Sequence, residues 1–210
     1  MRRWFSSQQT RRAIVAWSAD PGGLKLNLGC GRYPLPGWFN TDLHPRPGVY
    51  FLDARRPLPF RDQGVAYIYC EHFLEHLNLD EGQHLLRECR RILKPGGVLR
   101  ISTPDLQKVI NTYLDTNPAV SLEVVLRRHQ GMIPHAILSP ALFFNDKMRS
   151  WGHRLIYDQA LLEYVLRDAG FERVQVCSWG HSQHDHLREL ERHADVEWMK
   201  FAEVIIVEAW

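Results

Sequence analysis

Apolar positions recur along this chain with two periods, and the change from one to the other marks its elements. Leu24, Leu26 and Leu28 alternate with polar residues, the period of a strand. A second short run, Trp38–Thr41, ends on Asp42, and Val49–Leu52 is a third. Val65–Cys70 is almost continuously apolar, as expected of a strand buried on both faces. Val98–Ser102, Phe171–Ser178 and Glu203–Ala209 complete the strands. Between them the period lengthens. Glu71–Leu77 reads as a turn or short helix, and Leu85, Leu86, Cys89, Ile92 and Leu93 line one face of a longer one. Asp80 with Gln83 suggests its capping box, and Lys94-Pro-Gly-Gly97 stops it.

From Pro104 the helical period takes over. One helix carries Leu106, Val109, Ile110, Tyr113 and Leu114, a second covers Val120–Arg128, and a short third opens at Ser139-Pro140. Tyr157–Asp168 is amphipathic, with Asp158 as its cap and Gly170 at its end. Met1–Trp17 carries four arginines and no acid, a composition shared by transit peptides and basic surface helices. Its apolar piece is too short for a signal sequence, so it reads as a helix over about Ser7–Trp17. Strands separated by helices predict an α/β sandwich with a largely parallel sheet. The whole of residues 1–210 reads as one domain, with residues 1–20 as an N-terminal helical segment and 105–150 as a helical insert or lid.

Composition narrows this picture only a little. A net charge of +2 argues against a dedicated nucleic-acid binder. Cys30, Cys70, Cys89 and Cys177 form no C-x-x-C pair, so they read as reduced thiols of a cytoplasmic protein. No apolar run approaches the roughly 20 residues of a membrane span.

The chemistry concentrates in Leu24–Asp42. Gly29 and Gly31 let the backbone turn and let a ligand approach it. A glycine loop after the first strand and an acid after the second make a nucleoside pocket, in which the acid accepts ribose hydroxyls. A dinucleotide site is disfavoured, because the third glycine of G-x-G-x-x-G is missing. His72-Phe-Leu-Glu75-His76 matches the H-x-x-E-H of a metallopeptidase, but it follows a buried strand and reads as packing with a local hydrogen bond. His181, His184, His186 and Asp185 read as a solvated loop lining part of a pocket. No metal is expected.

Five blocks in order carry a resemblance: LNLGCG, GWFNTD, D-x-x-x-PLPF, EHFLEHL and LLRECRRILKPGGVLRISTPD. Together they resemble class I S-adenosylmethionine-dependent methyltransferases, most closely a bacterial branch of predicted methyltransferases of the type 11 kind. The resemblance implies a Rossmann-like three-layer sandwich with a seven-stranded, mostly parallel sheet whose last strand is antiparallel. It implies S-adenosylmethionine as cofactor. Gly29, Cys30 and Gly31 would approach its methionine and ribose, and Asp42, followed by Leu43, would bind the ribose hydroxyls. Asp53 and Ala54 would meet the adenine, and Cys70 and Glu71 would lie near the sulfonium. The chain departs from the family in two places. Only ten residues separate Gly31 from Asp42, so the first crossover helix must be missing or reduced. The N-terminal helix, through Ile14, Val15 and Trp17, is expected to cover the sheet there or cap the pocket. Ala66 stands where many relatives carry an acid, and no role is transferred to it.

A hydroxyl or amine acceptor needs a base that titrates near neutrality, and histidine is the natural choice. His72, just past the fourth strand, is the first candidate, and His153 and His181 are two more on the substrate side. The insert mixes Tyr113, Met132, Phe143, Phe144 and Met148 with Arg127, Arg128, His129 and His135, as a lid over an acceptor would. The expected reaction is O-methylation of a small molecule or of a sugar in a glycan. The alternative is a cofactor-binding module without transferase activity.

Overall fold

The structure is a computed structural model that describes residues 2–18, 23–132, 139–192 and 203–210, without the side chains of 2–7 and 128–132. Helix α1 (Arg2–Trp17) precedes β1 (Leu24–Leu28), β2 (Phe39–Asp42), β3 (Val49–Phe51) and β4 (Val65–Glu71). Helix α2 (Leu79–Ile92) leads into the long β5 (Leu93–Pro104). Helices α3 (Leu106–Tyr113), α4 (Leu122–Met132) and α5 (Pro140–Arg149) follow, and then α6 (Gln159–Asp168), β6 (Val174–Val176) and β7 (Val204–Ala209). The seven strands lie in the order β3-β2-β1-β4-β5-β7-β6. All neighbours pair in parallel except β7, which is antiparallel to both β5 and β6. The order reverses between β1 and β4, and the carboxyl ends of strands flanking such a switch are where α/β sheets hold ligands.

Two caps show how locally the helices are set. Asp158 caps α6, accepting from Leu161 N at 2.8 Å. The capping box of α2 belongs to Asn78 and Glu81, not to Asp80 and Gln83. Asn78 Oδ1 accepts from Glu81 N at 2.9 Å and Glu81 Oε2 accepts from Asn78 N at 3.0 Å, so the helix begins earlier than its apolar stripe suggests.

Alternate strand residues build two faces of different character. Leu26, Ile68, Ile101 and Val207 point into the main core, against Leu85, Leu86 and Cys89 of α2 and Leu162, Val165 and Leu166 of α6. Helix α1 joins the same core at the β2–β3 edge. Ile14 is buried there, Trp17 meets Phe39 edge to face at 5.9 Å, and Thr10 Oγ1 donates to Phe51 O at 2.9 Å. Thr10, Ile14 and Trp17 are spaced to share one helix face. Val15 does not take part and is 75% exposed. Removing residues 1–18 is expected to cost about 2–4 kcal/mol, from lost apolar burial and one buried hydrogen bond. The fall in urea midpoint measures it, and an unchanged midpoint would show that α1 merely rests on the sheet.

No helix forms in the first crossover. Asn40 organises it instead, accepting from Asn27 Nδ2 at 2.9 Å and Leu35 N at 2.7 Å, and donating to Leu35 O at 2.9 Å and Trp38 O at 3.0 Å. This side chain closes a loop where a helix would supply its own hydrogen bonds. It also seats Leu35 and Trp38 on the second face of the sheet, with Tyr69, Val98, Leu187 and Leu190.

That second face is otherwise polar. Arg100, fully buried at its centre, donates through Nε to Glu191 at 2.7 Å and through Nη1 to Glu208 at 2.6 Å and to His181 O at 3.0 Å. Glu191 also accepts from Gly180 N at 3.0 Å. The segment around 178–192 is thus fixed to the sheet by ionic hydrogen bonds as well as by Leu187 and Leu190. Burial works against the charge of Arg100, but the two carboxylates outweigh it and raise its pKa.

Helices α3–α5 follow β5 and have a small core of their own, Val109, Val125, Leu126 and Phe143. Phe143 is therefore buried within the insert, while Tyr113 and Phe144 meet at 5.7 Å nearer its surface. The side chains of Arg128, His129 and Met132, and residue His135, lie outside the described residues. No helix among the described residues is long and apolar enough to cross a membrane.

Candidate active site

The glycine loop after β1 is left-handed at both glycines, with φ of +60° at Gly29 and +49° at Gly31. They differ in what surrounds them. A Cβ on Gly29 would lie 2.2 Å from the Phe73 ring, so that side of the glycine is reserved for packing. A Cβ on Gly31 would approach nothing closer than Gly29 O at 4.0 Å, so only Gly31 is open on that side. Asp42, at the end of β2, accepts from Gly31 N at 3.0 Å through one oxygen and from His44 N at 2.8 Å through the other. It is thereby aimed at the loop and keeps lone pairs to spare. Leu43 beside it is 41% exposed. The Cys30 thiol is pushed up to about 11, chiefly by burial, so it stays protonated and is no nucleophile at neutral pH.

Asp53 follows β3 and is already engaged. Arg55 donates to its two oxygens at 2.8 and 2.9 Å, and this pairing holds its carboxyl below the usual range. Ala54 is buried beside it. Cys70 points into the main core, where burial drives its thiol well up, so only its backbone can face a ligand. Glu71 points to the opposite face of the sheet, and its Oε1 accepts from Arg192 N at 3.0 Å.

Past β4 the chain turns sharply. His72 adopts φ of +45°, a conformation rare for residues other than glycine, while its N–H donates to Ser102 O at 2.8 Å. Its Nδ1 lies 3.1 Å from Glu75 Oε1, and the other Glu75 oxygen accepts from Thr103 Oγ1 at 3.0 Å. Glu75 is fully buried. Burial opposes charge on the His72 ring, but the Glu75 bond and the charges of Glu75, Glu71 and Glu203 prevail and raise its pKa. Burial likewise opposes charge on Glu75, and the His72 contact reverses this to hold it low.

His153 arrives beside this group from beyond α5, whereas His181 does not join it. His181 lends its carbonyl to Arg100 and lines a cavity of about 510 Å³ with Asp105, Lys108 and Trp179. His184 and His186 flank the Tyr67 ring. Thr103 and the pairing role of Glu75 are invisible to motif reading. The signal for Thr103 is its inward position on β5, and for Glu75 its place three residues after His72.

Comparisons with known proteins bear on the fold that carries these residues. A family model described as a methyltransferase domain matches residues 40–101. A search of curated proteins finds no match. A methyltransferase from Archaeoglobus fulgidus described as SAM-dependent superposes with a TM-score of 0.52 at 16% identity, over 100% of this chain and 94% of that one. The YcgJ protein of Bacillus subtilis gives 0.51 at 12% identity, over 96% and 97%. Phosphoethanolamine N-methyltransferase 2 of Haemonchus contortus, solved with S-adenosyl-L-methionine, gives 0.50 at 13% identity, over 96% and 52%. The chain has the fold of these methyltransferases, and its residues 40–101 match a methyltransferase domain. The Haemonchus enzyme holds S-adenosyl-L-methionine, and that is the cofactor which the resemblance implies for this chain. The residues present fit it: an uncharged ribose needs acceptors, and Asp42 offers them beside an open glycine. The abbreviated crossover is compatible with that cofactor, which carries no phosphate.

Proposed function

We propose that this protein, read as one domain with α3–α5 as a lid, methylates a hydroxyl of a small molecule or of a sugar in a glycan. The observation that carries the reading is the His72–Glu75–Thr103 chain of hydrogen bonds at the end of β4, next to the strand that ends in the glycine loop. Gly31 and Asp42 would hold the ribose, with the Gly29–Gly31 backbone along the methionine part. Asp53 would reach the adenine amino group with an oxygen shared with Arg55, Ala54 would lie against the ring, and Leu43 would cover the nucleoside from its exposed side. Bound S-adenosylmethionine supplies an electrophilic methyl on a sulfonium sulfur.

What the protein adds is placement and a base. Glu75 accepts the Nδ1 proton of His72 and so fixes the tautomer whose Nε2 carries the lone pair. That nitrogen takes the proton of the acceptor hydroxyl as the oxygen–methyl bond forms. Thr103 holds the carboxylate in register. A cytoplasmic setting suits the four unpaired cysteines, three of them buried.

Release of S-adenosylhomocysteine over a panel of sugar and small-molecule hydroxyl acceptors tests the reading. His72→Gln should lower kcat by about 100-fold while cofactor affinity, measured by calorimetry, stays put. Cofactor binding without turnover on any acceptor would favour a binding module over an enzyme.

A further inference from the structure

The H-x-x-E-H stretch does not arrange itself as a helical metal motif would. His72 turns to hydrogen-bond Glu75, and a histidine 77 residues downstream of His76 takes its place. His76 ends a 3₁₀ turn, Leu74–His76, after β4. His153 follows a second one, Ser150–Gly152, after α5. Their rings meet edge to face with centroids 5.1 Å apart. One nitrogen from each ring and one Glu75 oxygen all lie within 4.8 Å of one another. We propose that Glu75, His76 and His153 bind a divalent transition-metal ion of the zinc class.

Two imidazole nitrogens and one carboxylate form a donor set found at zinc sites that keep a fourth position open for water or substrate. Two of the three donors are also oriented from behind, as metal ligands are. His153 donates from Nδ1 to Lys147 O at 2.7 Å, which leaves the Nε2 lone pair outward. Glu75 uses each oxygen once, toward His72 and Thr103, and a carboxylate has about four acceptor positions in all. The His76 ring has no hydrogen-bond partner among the described residues, although it borders a buried carboxylate. A metal bond gives it one.

The nearby cation does not occupy this place. Lys147 pairs with Glu203 and lies over the Trp151 ring at 4.9 Å. Trp151 and Gly152 are held at φ of +57° and +84° immediately before His153, and the Trp151 ring lies 5.7 Å from the His153 ring. Strain such as that at Trp151 persists where the surroundings over-determine it, and here it precedes the side chain that completes the triad. Bond lengths of about 2.0–2.2 Å bring donor atoms to roughly 3–3.5 Å apart, so the widest-spaced donors close by up to about 1.3–1.8 Å on binding. Two half-buried histidine rings can do that by side-chain rotation.

The test is a cobalt titration of the full chain after chelator treatment, read in the visible d–d bands. The wild type should bind one equivalent, with bands of four- or five-coordinate intensity that zinc displaces. His76→Ala and His153→Ala should each lose the bands, while the double variant His184→Ala with His186→Ala should keep them. Absence of saturable binding in the wild type, or equal binding in both single variants, overturns the site. If the alanine variants do not fold, His153→Cys decides. A thiolate ligand would add a sulfur-to-cobalt charge-transfer band in the near ultraviolet, and a folded variant without that band overturns the site. None of these readouts depends on methyl transfer, so the metal site and the methyltransferase reading stand or fall separately.

Discussion

Asp42→Ala is expected to weaken S-adenosylmethionine binding by roughly 100- to 1,000-fold in a calorimetric titration, about 3–4 kcal/mol. Hydrogen bonds to a charged acceptor are worth about 1.5–3 kcal/mol each, and two ribose hydroxyls would be lost together. Part of the effect would come through the loop, because Asp42 also accepts from Gly31 N and His44 N. Asp42→Asn separates the two contributions, since an amide oxygen can keep one backbone contact but not accept from both hydroxyls at full strength. It should fall between wild type and alanine. Wild-type affinity in a folded Asp42→Ala protein would remove the nucleoside from the end of β2.

Arg100→Ala is expected to cost about 3–5 kcal/mol of stability in urea denaturation, enough to unfold a marginal domain. The loss comes less from the attraction removed than from the two carboxylates left behind. Glu191 and Glu208 are both buried, and neither has water to turn to. Replacing all three together by apolar residues, as Arg100→Met, Glu191→Leu and Glu208→Leu, should recover most of the loss. A single substitution costing under about 1 kcal/mol would mean that the second face is held by Leu187, Leu190 and Trp38 alone.

The strands were legible because their apolar pattern is one-dimensional. Leu24, Leu26 and Leu28 announce an inward face whatever lies opposite, and the glycine loop and Asp42 follow in the same short stretch. The absent crossover helix was legible too, from ten residues that cannot span it. What replaces that helix was not, because Asn40 acts through four contacts that meet only after β1 and β2 pair. Val15 was misread for a related reason: a helix as evenly polar as α1 does not declare which side it turns inward. The Asn78 cap was missed because Asp80 offers the same chemistry two residues later. Arg100 was read as part of a strand and nothing more, since its partners lie 91 and 108 residues away. The site divided along the same line. His72 and Glu75 are close in sequence, whereas Thr103 and His153 reach them only through the register of β4 on β5 and the return of the chain from the insert.

The position of β7 has a consequence for how the molecule assembles. It lies between β5 and β6, yet it comes after β6 in the chain. Until it docks, β6 has no neighbour to pair with, Arg100 lacks Glu208, and the open edge of β5 exposes unpaired backbone. Chain closure therefore behaves as a latch. Everything from β1 to β5 can form from nearby contacts, but the remaining edge must wait for a distant segment to enter. Hydrogen exchange should find β6 opening together with β7, at a lower free energy than β1 and β4. Folding should slow at that last insertion, where loop closure is longest.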